Sequence, residues 1–294
     1  MIDVTGTVAL DMVGRVRRLP GMNVTARVDD LARDWGGAAG NVAMGLARLG
    51  LPVRLSAVVG EDFAGGAYEQ AFLAARVDLA GLVRAPGPTA HAFMFCDPEG
   101  HQQIYFYPGP EASLTEGPAF SAELAHFTTG DCTDYPRRMR LAERVTFDPG
   151  QEVFHRDLKG VEACLPEVDV LFLNEFEAAH LREHIGLVPE RLVKEGLEAV
   201  VITHGMRGQM VITPDAHMHV PAVPAKAVDP TGAGDAHRVG FLLGMSRGLP
   251  FVECARLGAV TAAFAVEAMG PQRGLPTLQQ VRERYARAFG PCPV

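Results

Sequence analysis

The sequence predicts one three-layer α/β/α domain over residues 1–294, built on a mostly parallel central sheet. Three observations carry that expectation. Strand-like and helix-like stretches alternate along the chain, 48% of the residues are hydrophobic, and no repeat or low-complexity segment interrupts the pattern. Helices inserted between strands act as crossovers, and crossovers make neighbouring strands parallel.

Val4–Val8 opens the chain as a strand. Gly36-Gly37-Ala38-Ala39-Gly40-Asn41 then leads into Val42, Leu46 and Leu49, apolar at helical spacing, until Gly50 stops the helix. Val53–Val59 reads as a buried strand, followed by a helix at 67–76. Strands His91–Cys96, Ile104–Tyr107, Leu124–Thr128 and Arg144–Phe147 come next, with helices at 135–142 and 152–165. Val168–Leu173 and Ala199–Ile202 flank a helix at 175–184. Gln209–Thr213 and His217–Val220 around Pro214-Asp215 form a hairpin, and helices at 234–247, 252–268 and 277–288 complete the pattern. Residues 12–34 and 87–110 are strand-like but short and interrupted by polar residues, so they fit the main sheet poorly.

A net charge of −8 and a pI near 5.7 argue against a nucleic-acid-binding surface. The densest basic run, Arg15-Val16-Arg17-Arg18, is short enough to be a solvated face. No apolar run approaches the roughly 20 residues of a membrane span, and the chain enters a strand without an export signal. Five cysteines without CxxC spacing suit reduced thiols. Together these features place the protein in the cytoplasm, acting on a small molecule rather than on a membrane or nucleic acid.

The most informative stretch is Asp229-Pro230-Thr231-Gly232-Ala233-Gly234-Asp235. Its glycines allow a tight turn, and an apolar helix-like run starts directly after Asp235. Backbone N–H groups at a helix start are unpaired and carry partial positive charge, so they suit an anion such as a transferring phosphoryl group. A carboxylate fixed beside that anion site can take a proton from an attacking hydroxyl. No Gly-Lys-Ser/Thr ends the turn, as a Walker A loop requires, and His237 stands where a dinucleotide fingerprint needs a third glycine. Taken alone, the turn reads better as a helix cap with glycines that only shape it.

Five stretches in order resemble the PfkB, or ribokinase-like, family of small-molecule kinases. The stretch from Val4-Thr5-Gly6 to Asp11 looks like its first strand, Gly36 to Gly50 like its first signature, and Asp229 to Phe241 like its second. Asn174-Glu175-Phe176-Glu177 resembles the N-x-x-E motif, and Thr203-His204-Gly205-Met206-Arg207-Gly208 the T-x-G-x-x-G nucleotide turn. The resemblance implies a ribokinase-like fold with a small β lid formed by about 12–34 and 87–110. It also implies transfer of the γ-phosphate of ATP to a primary hydroxyl, with Mg²⁺.

Carried onto this chain, the family pattern makes Asp235 the general base and gives the backbone N–H groups of Gly232, Ala233 and Gly234 to the transferring group. Asp11, Gly37, Asn41 and Phe106 fall on the acceptor. Asn174, Thr203, Gly205, Gly208 and Thr231 fall on the nucleotide, with Gly208 letting the chain pass close to adenosine. Glu177 is expected to position Mg²⁺, and Asp229, with carbonyls near Gly270, a monovalent cation such as K⁺. Without the resemblance, Asn174 and Glu177 read as a helix cap with an acidic first turn.

The acceptor stays open between a nucleoside and a free sugar. Ala9 and Ala38 stand where ribokinases carry an asparagine and a lysine for sugar hydroxyls. Gln102-Gln103-Ile104 through Phe106-Tyr107-Pro108-Gly109, and Asp148-Pro149-Gly150-Gln151, resemble runs of bacterial nucleoside kinases in the family. An aromatic lid suits a purine, because stacking a base on Phe or Tyr contributes about 1–3 kcal/mol. His237 and Val239 depart from the phenylalanine and small residue usual there. A ligand-binding protein that keeps the fold without chemistry is the other class, and the intact Gly232–Asp235 turn speaks against it. The family often shares its lid between two subunits, which implies a homodimer. The expected lid faces set Phe93, Phe95, Ile104 and Phe106 against His91, Gln103 and Tyr105.

Overall fold

A computed structural model of the chain describes residues 1–99, 101–154 and 157–294. Gly100 of the expected lid segment, His155 and Arg156 of the expected 152–165 helix, and the Gln102 side chain lie outside the described residues.

In chain order, β1 (Ile2–Thr5), β2 (Ala9–Val16) and β3 (Val28–Gly36) lead to α1 (Ala38–Arg48), β4 (Val53–Gly60), α2 (Ala67–Ala74) and β5 (Asp78–Ala85). Then come β6 (Ala90–Cys96), β7 (Gln102–Tyr107), β8 (Leu124–Phe127), α3 (Tyr135–Met139), β9 (Val145–Phe147) and α4 (Lys159–Cys164). The remaining elements are β10 (Val170–Asn174), α5 (Glu175–Ile185), α6 (Pro189–Glu195), β11 (Ala199–Thr203), β12 (Gln209–Ile212), β13 (His217–Val220), α7 (Ala233–Ser246), α8 (Phe251–Ala265) and α9 (Leu278–Phe289).

The main sheet runs β13-β12-β11-β10-β9-β8-β1-β4-β5. It is parallel from β5 to β11, and the β12–β13 hairpin adds an antiparallel edge. Side chains alternate across a strand, so each strand feeds two cores. Val170 and Phe172 of β10, with Val201 of β11, join the core beneath α1, α7 and α8. Leu171 and Leu173, with Val200, join the core beneath α3 to α6. These two cores make the three α/β/α layers.

The segments that fit this sheet poorly form a second one, of order β3-β2-β6-β7. Two local expectations are corrected. β1 ends at Thr5, because Gly6 passes against Thr128 and the chain turns there. The expected 152–165 helix is split into a 3₁₀ turn at Gly150–Phe154 and the short α4, whose entry Asp157 shapes by accepting from the Lys159 N–H at 3.1 Å. β5 and α6 are additions. Asp78 and Gly81 hide the strand pattern of β5, which forms because β4 supplies a partner edge.

The lid register also corrects the expected faces. Phe93 lies opposite Tyr105 and Ala92 opposite Phe106. Phe93 and Phe95 therefore share a face with His91, Gln103 and Tyr105, whereas Phe106 and Ile104 share the other with Ala92 and Met94.

Candidate active site

The expected residues gather where the parallel strands end, the crevice in which α/β folds bind ligands. Gly232 adopts a left-handed conformation (φ 75°), and a Cβ there would stand 2.6 Å from Pro271. The reversal starts α7 at Ala233 and makes Asp235 its third residue. The Ala233 N–H donates to the Pro230 carbonyl at 3.1 Å, so it is not an anion donor, contrary to expectation. The Gly232, Gly234 and Asp235 N–H groups have no protein acceptor among the described residues.

Packing of α1 on α7 brings Asn41 to Asp235, and the Asn41 Nδ2 donates to Asp235 Oδ2 at 2.7 Å. Val239, one turn further along α7, fits because Gly45 of α1 faces it without a side chain. Asp11 enters from the lid sheet. It is buried on β2, and a Cβ on Gly36 would sit 2.1 Å from its carboxylate. In the lid register Asp11 lies opposite Ala92, and Ala92 opposite Phe106, so Phe106 stands two strands away on the Asp11 face. Phe106 is 45% exposed, an apolar ring left uncovered on the same face of the lid sheet as the buried Asp11 carboxylate.

Asn174 and Thr203 occupy the adjacent ends of β10 and β11. Asn174 Oδ1 accepts from the Phe176 and Glu177 N–H groups at 2.9 and 2.8 Å, while its own N–H and Nδ2 donate to Glu177 at 2.7 Å each. The cap is thus realised, and it turns a buried carboxylate toward the strand ends. Gly208 has a positive φ (89°), and a Cβ there would lie 2.3 Å from the Val220 carbonyl. Gly205 sits before it in a left-handed turn (φ 55°).

Asp148 and Arg238 join the two groups of residues. Arg238 Nε donates to Asp148 Oδ2 at 2.8 Å, and its guanidinium lies 4.8 Å from the Phe172 ring centre. Burial raises Asp235 to about 7, and the Asp148 charge adds to the rise, while the Asn41 hydrogen bond and Arg238 oppose it. Burial likewise raises Asp11 to about 7, with the Asp235 and Asp34 charges adding to it. Glu177 is raised to about 7 by burial and then by Asp148. One buried arginine, Arg238, thus stands among the carboxylates of Asp148, Asp235 and Glu177, an imbalance suited to a cationic ligand.

Asp229 differs. Its two carboxylate oxygens accept the Thr231 and Gly270 N–H groups at 2.9 and 2.8 Å, tying the turn to the 270 loop. Among the described residues no three His, Cys, Asp or Glu side chains cluster as a metal site. His237 is a core residue: buried and held neutral, it bonds Gln209 Oε1 through Nε2 at 2.7 Å. Arg238, Gln272 and Tyr68 were not singled out from sequence. A charge directly before the apolar run Val239–Leu243 is the signal that marks Arg238, whereas nothing local marks the other two.

The family model for pfkB carbohydrate kinases matches residues 1–278. The chain is 31% identical to a nucleoside kinase of Methanocaldococcus jannaschii over 293 residues, covering 97% of each chain. The crystal structure of the M. jannaschii nucleoside kinase superposes with a TM-score of 0.91 at 30% identity, covering 97% of this chain and 98% of that one. The Burkholderia thailandensis nucleoside kinase in complex with inosine also gives 0.91, at 25% identity, covering 100% of this chain and 98% of that one. No helix among the described residues is long and apolar enough to cross a membrane.

Proposed function

The chain belongs to the pfkB family of carbohydrate kinases, and we propose that it is a cytoplasmic ATP-dependent nucleoside kinase acting on a primary hydroxyl. The observation that carries this reading is the position of Asp235. It is a carboxylate raised to about 7 at the unpaired start of a helix, bonded to Asn41 and near Asp11 of the lid sheet. A base poised near neutrality takes a hydroxyl proton efficiently. The Gly232, Gly234 and Asp235 N–H groups hold the transferring group, and Thr231 adds its hydroxyl on the phosphate side.

Asp11, Asn41 and the chain at Gly37 take the ribose hydroxyls, and Phe106 covers the base. Asn174, Thr203, Gly205 and Gly208 line the nucleotide side. The carboxylates Asp148 and Glu177 suit Mg²⁺, which needs only one or two carboxylates beside substrate phosphates, and the bound ion would neutralise phosphate charge. Glu177, with both oxygens already accepting from Asn174, would help to hold the ion from its buried place at the strand ends. The Asp229 turn is closed by backbone N–H groups, so K⁺ is not needed to build it.

The lid segments 12–34 and 87–110 act as one cover on a single kinase domain. Water kept from the site would otherwise compete for the phosphoryl group. The lid's other face exposes Leu31, Phe93, Tyr105 and Tyr107, and a second copy covers it in a homodimer. Competition between adenosine, inosine, cytidine, ribose and fructose for phosphorylation tests the acceptor. A nucleoside should be used in preference, and more efficient use of a free sugar would overturn the nucleoside reading while leaving the kinase.

A further inference from the structure

Asp235 is the end of a chain of hydrogen bonds that begins at a carbonyl. The Gly36 carbonyl can only accept, so the Tyr68 hydroxyl, 3.0 Å away, gives it its single proton. The Tyr68 oxygen is then left as an acceptor, and it takes a proton from Gln272 Nε2 at 2.7 Å. The second Nε2 proton goes to Asn41 Oδ1 at 2.9 Å, which leaves the Asn41 NH₂ to face Asp235 at 2.7 Å. Each donor direction follows from the one before it. Gln272 Oε1 is buried without a partner, so the amide is held in this orientation although one acceptor stays unsatisfied.

We propose that Gln272, anchored by Tyr68, is a positioning residue that fixes the Asn41 amide with its NH₂ toward Asp235 and so keeps that carboxylate ionised to accept a proton. The inference rests on the reading of Asp235 as the base. An ionised Asp235 accepts the Asn41 NH₂ as a charge-assisted bond, whereas a protonated Asp235 keeps only a weaker neutral acceptor there and could donate to Asn41 Oδ1 only if the Asn41 amide turned over. Its NH₂ would then meet the Gln272 NH₂. Turning Gln272 as well would set its carbonyl against the Tyr68 oxygen, whose proton is committed to Gly36. One repulsive contact remains in each turned arrangement, so the chain holds the Asn41 NH₂ on Asp235, where it favours the ionised carboxylate over the acid.

Opposition is needed because the surroundings favour the acid. Asp235 is largely withdrawn from water and faces Asp148 beyond β9 and Asp11 on β2, with Arg238 on α7 as the compensating charge. Tyr68 on α2 is held well above its usual range by burial and stays neutral. Asn41 on α1 and Gln272 carry no charge.

The test is the pH profile of kcat for Gln272→Met and Tyr68→Phe, with saturating ATP and with adenosine and inosine as acceptors. In both variants the acidic limb should move up by about 0.5–1 pH unit, the order expected when a support one step removed from a charged hydrogen bond is lost. The double variant should move little further, because both changes cut one chain. Acidic limbs at the wild-type pH in folded variants, verified by thermal melts, would overturn the proposal. Should Gln272→Met fail to fold, Tyr68→Phe, which removes one oxygen, decides the question by the same shift. Asp235→Asn separates the two readings. Full activity in it removes the base and the relay together, whereas an inactive Asp235→Asn beside an unshifted Tyr68→Phe removes the relay alone.

Discussion

Replacing Asp235 by Asn should make the protein more stable and far less active. The amide is nearly isosteric, and its oxygen can still accept from the Asn41 Nδ2. Turnover should fall by about 10²–10⁴, the usual contribution of a general base, or about 3–5 kcal/mol of barrier. The stability effect follows from the carboxyl rising from its ordinary 3.8 to about 7. A raised acid favours the folded state when protonated, so its contribution is complete below the unfolded value and is lost as pH climbs through about 7. The full shift is worth about 4 kcal/mol, and partial exposure of the residue reduces that to about 2 kcal/mol at pH 8. Asn escapes this loss. Thermal melts of both proteins from pH 4 to 8, with ADP release measured at pH 8, check the linkage. The gain of the variant should be near zero at pH 4 and grow to a few degrees at pH 8. An equal gain at both ends, or full turnover, would refute it.

Gly36→Ala places a methyl group against the Asp11 carboxylate, so KM for the acceptor should rise about 10-fold or more with ATP binding unchanged, as read by initial rates and ATP titration. Phe106→Ala should raise nucleoside KM by about 10–100-fold and leave any use of free ribose unaffected, since a base stack contributes roughly 1–3 kcal/mol; equal losses for ribose would argue against stacking. Arg238→Met leaves Asp148 buried without its cation and should cost about 3–5 kcal/mol in chemical denaturation, while adding Asp148→Leu should recover much of that loss without restoring activity.

The layers, the parallel sheet and the residues of the phosphate turn are legible in the sequence, because they depend on local pattern. Apolar runs such as Val170–Leu173 feed two cores whatever their neighbours, and a Gly232–Asp235 turn must open a helix when an apolar stretch follows. Hydrophobic period and turn chemistry are properties of a few adjacent residues. The same holds for the Asn174–Glu177 cap, legible as a cap from its spacing although not as the neighbour of Asp148.

Whatever depends on pairing and register is settled only in three dimensions. Alternation along β6 and β7 says which residues share a face within a strand, but only the opposition of Phe93 to Tyr105 and Ala92 to Phe106 sorts the two strands together. Availability of a donor is likewise non-local in effect: Ala233 lies in the expected anion turn, yet its N–H is taken by Pro230. Asn41 and Asp235 are far apart in the chain and meet because α1 packs on α7, and Gln272 joins them from a loop with no motif of its own. Proton affinities near 7 at Asp11, Asp235 and Glu177 arise from shared burial with a single arginine, a consequence of where the chain puts charges relative to water and to one another.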